Sequence, residues 1–352
     1  MKNEEKEMAY LSGIMDGDGS FSIGKLPANG SPLYFPLIQC NTWRSFIFIL
    51  KEKFGGTLFK AKNHICKDGS LGHALIRWRL RSQNNVLPVL KRLIPFLIIK
   101  KERALHLLNF IEENRFVRGK RLSVASIEER ERCYLKMIQM NEWRACHKKI
   151  SKNIAKSMSE DVLFWAYVAG LMDTDGSFSL KKQCQNKGTH VINPRYLPVI
   201  SLSMTDTRSI NYIRENCTVG KLYIPRNKYT NAGFHYQYGI YTKKECLEFL
   251  KRVIPHLTSK KENAQILLEF CEKSKNTKYC KAGISPEELS FREDCYRKIV
   301  CLNKYGVHKP SLIDLEAQEL GNKGEGISHA ERLNEMDASD SICESLNTSY
   351  SS

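Results

Sequence analysis

Two aspartates in matching surroundings are the residues of this chain most able to do chemistry. LSGIMDGDGSFSI begins at Leu11 and VAGLMDTDGSFSL at Val168, so Asp18 and Asp175 stand 157 positions apart in equivalent places. Each follows a short helical stretch and precedes Gly-Ser-Phe-Ser. A helix C-terminus already carries partial negative charge. Two such ends brought together, each with a carboxylate, repel one another and raise at least one pKa unless a cation sits between them. Hard divalent cations suit oxygen ligands, and Mg²⁺ binds through one or two carboxylates plus substrate phosphates. The chemistry implied is metal-assisted phosphodiester hydrolysis. Asp-Gly after a helix also makes an ordinary turn. For one copy that reading is the better one; repetition of the pattern favours chemistry.

The elements that must position the pair follow from the same stretches. Ala9, Ser12, Gly13 and Asp16 share one helical face, as do Ala166, Ala169, Gly170 and Asp173. Small side chains let two helix backbones approach. The expectation is that these two faces pack together across a pseudo-twofold axis and bring the helix ends into one place.

The repeat extends well beyond the aspartates. LKRLIPFLIIKKERALHLLNFIE at Leu90 returns as LKRVIPHLTSKKENAQILLEFCE at Leu250, and CYLKMIQMN at Cys133 as CYRKIVCLN at Cys295. Offsets that drift by a few residues mark duplication followed by loop insertion. We place a first unit at 1–150, a basic polar linker at 151–157, a second unit at 158–309 and an acidic tail at 310–352. Ser157 and Glu160 supply a capping-box pattern for the helix that opens the second unit. The Ser-rich end of the tail reads as disordered. Within each unit, helix and strand patterns segregate without strict alternation. This predicts α+β architecture with antiparallel sheets.

Charge points to the partner. The 352 residues carry a formal net charge of +17. Residues 310–352 hold nine acidic and two basic side chains, which leaves +24 on residues 1–309. A body this basic suits a polyanion. The 12 cysteines include no CxxC pair, which argues against structural zinc and for reduced thiols. No apolar run is long enough to span a membrane, and the N-terminus resembles neither a secretory signal nor a transit peptide. The expected setting is intracellular: the product of an organelle genome (chloroplast or mitochondrion) or a bacterial cytoplasm.

At LSGIMDGDG and VAGLMDTDG the chain resembles the LAGLIDADG homing endonucleases in their single-chain, two-motif form. The resemblance covers about residues 8–305 and implies two pseudo-symmetric α-β-β-α-β-β-α units whose sheets form a DNA-binding saddle. It implies that Asp18 and Asp175 bind the catalytic metal, with Gly17 and Thr174 beside them. It assigns catalytic support to Lys100 and Lys260, with Lys101 and Lys261 one step away. A polar residue late in the second strand would position water. Gln39 fits that slot by its spacing to Gly55, and Met204 is then its counterpart, with Asn41 and Asp206 as nearby polar alternatives. Because Met204 cannot hold water, the two half-sites are expected to differ in rate. The implied activity is a Mg²⁺-dependent double-strand break with 3′ overhangs in a long asymmetric DNA site. It would be made by a monomer and would serve intron homing.

Strand alternation marks the side chains that would read double-stranded DNA. Arg77, Arg79 and Arg81 share one face of IRWRLR, and His235, Gln237 and Tyr241 one face of HYQYGIY. Ser179, Lys181 and Gln183 share a face of the strand after the second motif, and Ser22 lies in the strand after the first. Arginine reads guanine and glutamine adenine by bidentate contacts. A solvated outer face is the plain alternative for any one strand. The rival functions are a maturase that binds host intron RNA through the same basic surface, and a DNA-binding regulator with a dead nuclease core. The intact acidic pair speaks against the regulator.

Overall fold

The computed structural model describes residues 2–27, 31–60, 75–114, 123–142, 161–183, 186–187, 190–191, 194–223, 236–275 and 284–305. The expected linker 151–157, the Ser157–Glu160 cap, the tail 310–352 and His235 lie outside them. One compact unit comprises residues 1–23 and 35–307.

The first repeat runs α1 (Lys2–Gly17), β1 (Gly19–Leu26), β2 (Leu33–Thr42), α2 (Phe46–Phe54), β3 (Thr57–Lys60), β4 (Ile76–Arg81), α3 (Gln83–Leu93), α4 (Lys101–Glu113) and α5 (Val124–Glu142). The second runs α6 (Asp161–Thr174), β5 (Gly176–Gln183), a ribbon of β6 (Asn186–Lys187) and β7 (His190–Val191), then β8 (Arg195–Met204), α7 (Thr207–Asn216), β9 (Lys221–Tyr223), β10 (Tyr236–Ile240), α8 (Lys243–Val253), α9 (Lys261–Lys273) and α10 (Pro286–Tyr305). Each repeat builds one four-stranded sheet, ordered β1-β2-β4-β3 and β5-β8-β10-β9. The α+β expectation with antiparallel sheets holds.

Alternation along each strand decides which side of the sheet is covered. In β4, Ile76, Trp78 and Leu80 are buried while Arg77 and Arg79 are half-buried and Arg81 is exposed. In β5, Phe178 and Leu180 are buried, and Lys182, on the same side, pairs with Glu293 of α10 at 2.8 Å. The helices therefore cover the apolar side, and Ser179, Lys181 and Gln183 lie on the other. Gly55 and Gly56, both at positive φ, end α2 and turn the chain into β3. The Trp78 indole N–H donates to the Gly55 carbonyl at 2.8 Å and fixes that turn on the sheet.

α1 and α6 are the centre of the molecule. All of Leu163–Thr174 in α6 is buried, as a helix without a polar face must be. A Cβ on Gly13 would lie 2.2 Å from the Tyr167 carbonyl oxygen, and one on Gly170 would lie 2.1 Å from that of Tyr10. The helices touch backbone to backbone at these two glycines. The contact face is rotated from the expected one. It runs through Tyr10, Gly13 and Gly17 against Tyr167, Gly170 and Thr174. Ser12 instead donates to the Leu93 carbonyl at the end of α3, and Asp16 turns to the loop before α4. Size alone could not separate Ser12 from Gly13; the tyrosines that flank the glycines decide the face.

Candidate active site

The motif aspartates are held by the helices they end. The Asp18 N–H closes the last turn of α1 on the Ile14 carbonyl at 2.9 Å, and the Asp175 N–H does the same in α6 on Leu171 at 3.0 Å. The ends meet: a Cβ on Gly17 would lie 2.1 Å from Thr174 Oγ1. Thr174 fills the space Gly17 leaves and turns its hydroxyl back onto the Leu171 carbonyl at 3.0 Å.

The other motif aspartates do structural work. Asp16 accepts from the backbone N–H groups of Ile98 (2.8 Å), Ile99 (3.1 Å) and Lys100 (2.8 Å). Asp173 accepts from those of Thr258 and Lys260, both at 2.8 Å. Each also takes a phenol O–H from the opposite helix, Tyr167 to Asp16 and Tyr10 to Asp173, both at 2.8 Å. Each carboxylate therefore anchors its own lysine loop and ties it to the other repeat.

The loop so anchored delivers the lysine. Lys100 Nζ donates to the carbonyls of Met15 (3.0 Å), Gly17 (2.8 Å) and Gly19 (2.5 Å). Lys260 Nζ donates to those of Met172 (2.8 Å), Thr174 (2.9 Å) and Gly176. Three donors meet three acceptors at each helix end, where cations are favoured. Lys100 and Lys260, rather than Lys101 and Lys261, return to the helix ends. Burial pulls the Lys100 pKa down and that of Lys260 to about 7. Burial, reinforced by Asp175, pushes Asp18 up to about 6. Asp175 also titrates higher than usual because protein surrounds it, although its exposed side chain tempers the effect.

Arg44 joins this group, and the repeat gave no signal for it. It is half-buried between β2 and α2; burial lowers its pKa, and Asp173, Asp18 and Asp175 oppose that fall.

Sheet register changes the pairing of polar residues between the repeats. Trp78 pairs with Cys40, and its counterpart Tyr238 pairs with Leu202. This makes Ser201 the equivalent of Gln39, Thr42 that of Met204, and Arg44 that of Asp206. β2 and β8 alternate in burial on that alignment. Gln39 lies half-exposed on the open side, opposite Arg79. Spacing to Gly55 gave Met204 as its counterpart because the stretch from the second strand to that glycine differs in length between the repeats. The position matching Met204 holds the buried Thr42.

The open sides differ in chemistry. Arg77 Nε donates to Asn41 Oδ1 at 3.0 Å, Arg79 lies over the Phe59 ring and Arg81 over the Phe35 ring. The β10 equivalents are Gln237, Gly239 and Tyr241, the last stacked edge-on against Tyr223. Ser22 lies half-exposed on the open side of β1.

The fold has solved counterparts. The chain superposes on I-SmaMI bound to an uncleaved DNA target with calcium ions at a TM-score of 0.55 and 14% identity, over 83% of this chain and 98% of that one. The fold is that of the LAGLIDADG homing endonucleases. A second member, I-LtrWI bound to target DNA, matches at a TM-score of 0.56 and 14% identity, over 84% of this chain and 98% of that one. I-SmaMI bound to cleaved DNA matches at a TM-score of 0.51 and 15% identity, over 82% and 95%. No family model and no curated protein matches the sequence itself. In the LAGLIDADG fold the paired motif helices are the elements that carry Asp18 and Asp175, and the two sheets flank them. None of the described helices is long and apolar enough to cross a membrane.

Proposed function

We propose that this chain is a site-specific DNA endonuclease of the homing type, hydrolysing both strands of a long asymmetric duplex as a monomer. The observation that carries the reading is the meeting of Asp18 and Asp175 at two touching helix ends, each backed by an anchored lysine. The basic body and the two open polar sheet sides support duplex DNA as substrate, as do the DNA-bound neighbours that share the fold.

The donor set fits a hard divalent cation. Two mutually repelling carboxylates and the carbonyls of Gly17 and Thr174 are all oxygen ligands. Among the described residues no group of three or more His, Cys, Asp or Glu side chains could hold a metal. The remaining ligands would have to be water and phosphate oxygens, so binding is tied to substrate. When bound, Mg²⁺ or a similar ion supplies charge neutralisation at the phosphate and a more acidic water. Asp18 and Asp175 would hold it. Lys100 and Lys260 keep the helix-end carbonyls fixed and add positive charge beside the phosphate as negative charge grows there. Water adds to phosphorus, one P–O ester bond breaks, and the departing oxygen takes up a proton. A cut across the minor groove by two such half-sites leaves short 3′ overhangs.

A library of duplex sites incubated with the protein and Mg²⁺ tests this. Wild type should cut a single site, and Asp18→Asn or Asp175→Asn should lose several kcal/mol of transition-state stabilisation, about 10³-fold in rate, while still binding DNA. No cleavage by wild type, or undiminished cleavage by Asp18→Asn, would sink the proposal.

A further inference from the structure

We infer that Arg44 is a catalytic side chain that serves one DNA strand only, by binding one scissile phosphate beside the paired aspartates. This rests on the nuclease reading above. Three observations carry it. Arg44 follows β2 directly, where its backbone N–H is held by Thr42 Oγ1 at 3.3 Å. Its guanidinium lies over the Trp43 ring, 4.4 Å from the centroid, which fixes the plane of the donor fork. Burial disfavours its charge, and the nearby Asp173, Asp18 and Asp175 offset part of that. Among the described residues no protein acceptor takes a hydrogen bond from this guanidinium. A planar, permanently charged fork of N–H donors matches a phosphate.

The second repeat closes the same position off. Asp206 stands where Arg44 stands, and it is spent on Arg208. Its Oδ1 accepts from Arg208 N at 2.9 Å and Nε at 3.0 Å, and its Oδ2 accepts from Nη2 at 2.7 Å. One half thus offers an open cation beside the metal-binding carboxylates, and the other a neutralised, helix-capping pair. As water adds to phosphorus, charge grows on the non-bridging oxygens. N–H donors aimed there stabilise it on one strand alone.

The test follows each strand separately. A supercoiled plasmid carrying the site, and a duplex with each strand end-labelled, are cut by wild type, Arg44→Ala and Arg44→Lys. Removing one preorganised donor set should slow one strand by about 10²–10³-fold and leave the other within about 3-fold, so that nicked plasmid accumulates. Arg44→Lys should recover part of the loss. Equal slowing of both strands, or no slowing, overturns the inference.

A second measurement needs no cleavage. In the complex held by Ca²⁺, ethylation of individual phosphates should weaken wild type at one central phosphate of one strand. That effect should vanish in Arg44→Ala. A wild-type protein that binds its site but cuts neither strand would defeat the nuclease reading. The ethylation contrast would still decide whether Arg44 grips a single phosphate, and its absence overturns the assignment.

Discussion

β4 and β10 occupy the same place in the two repeats and carry different chemistry on their open sides. β4 shows Arg77, Arg79 and Arg81, two of them laid over phenylalanine rings. β10 shows Gln237, then Gly239, then Tyr241 stacked on Tyr223. A Cβ on Gly239 would lie 2.4 Å from the Tyr241 hydroxyl, so the tyrosine ring covers the spot where Arg79 stands in the other half. Beneath these faces the anchoring is almost identical: aspartate to loop, lysine to helix end, tyrosine to the opposite aspartate. Both repeats keep what must be symmetric for the helices to meet and differ on the open sheet sides. The lesson is that the reading faces and Arg44, not the aspartates, distinguish the two halves.

The shared frame should break hardest. Gly170→Val places a branched side chain where a Cβ already meets the Tyr10 backbone at 2.1 Å. The helices must part, at a cost of about 3 kcal/mol or more. The thermal midpoint should fall by many degrees and both strands should be spared. Retained stability and activity would refute the backbone contact as the organising feature.

The arginine face comes next. Replacing Arg77, Arg79 and Arg81 together by alanine should lower affinity and flatten the dependence of log K on log salt by up to about 3 if all three touch phosphates. If they read bases instead, each single change should cost about 1–3 kcal/mol and relax a guanine preference at one position. Selection from randomised half-sites separates these outcomes. Gln237→Ala should alter only an adenine preference in the other half-site, and leave the salt slope unchanged.

The smallest effect is in pH. Lys260 titrates near 7 in the fold against an ordinary 10.5. The unfolded chain therefore holds this proton where the folded one has lost it, and stability should rise with pH from about 7 to 10.5. Asp18 is displaced the other way, from 3.8 to about 6, so its contribution without metal should decline as pH rises through that window. Thermal midpoints across pH should lose the alkaline rise in Lys260→Met. Divalent-ion binding should weaken as pH falls below about 6, where Asp18 takes up its proton.

Much of this was legible in the sequence because repetition exposes it. The paired motifs, the lysines of KKERA and KKENA, and the alternation of IRWRLR all lie in segments that recur. The exact helix face was not legible, since Ser12 and Gly13 are both small and only packing reveals which meets the partner backbone. The roles of Asp16 and Asp173 were hidden because their partners, Lys100 and Lys260, lie more than eighty residues away. Tyr10 and Tyr167 could have been found: they recur three residues before the contact glycines. Arg44 could not, because its counterpart is an aspartate and no repeat points to it. The Gln39–Met204 equivalence failed because counting back from a glycine ignores the sheet register that fixes strand position.

The pairing of Gly17 with Thr174 bears on ancestry and on engineering. Two copies of the first repeat joined across the same axis would set glycine against glycine and leave a gap at the helix ends. Two copies of the second would press threonine into threonine, where even one added Cβ meets Thr174 Oγ1 at 2.1 Å. Each repeat is fitted to its unlike neighbour, so neither half is shaped to assemble with itself. The fusion is locked in at the very point where the paired carboxylates begin.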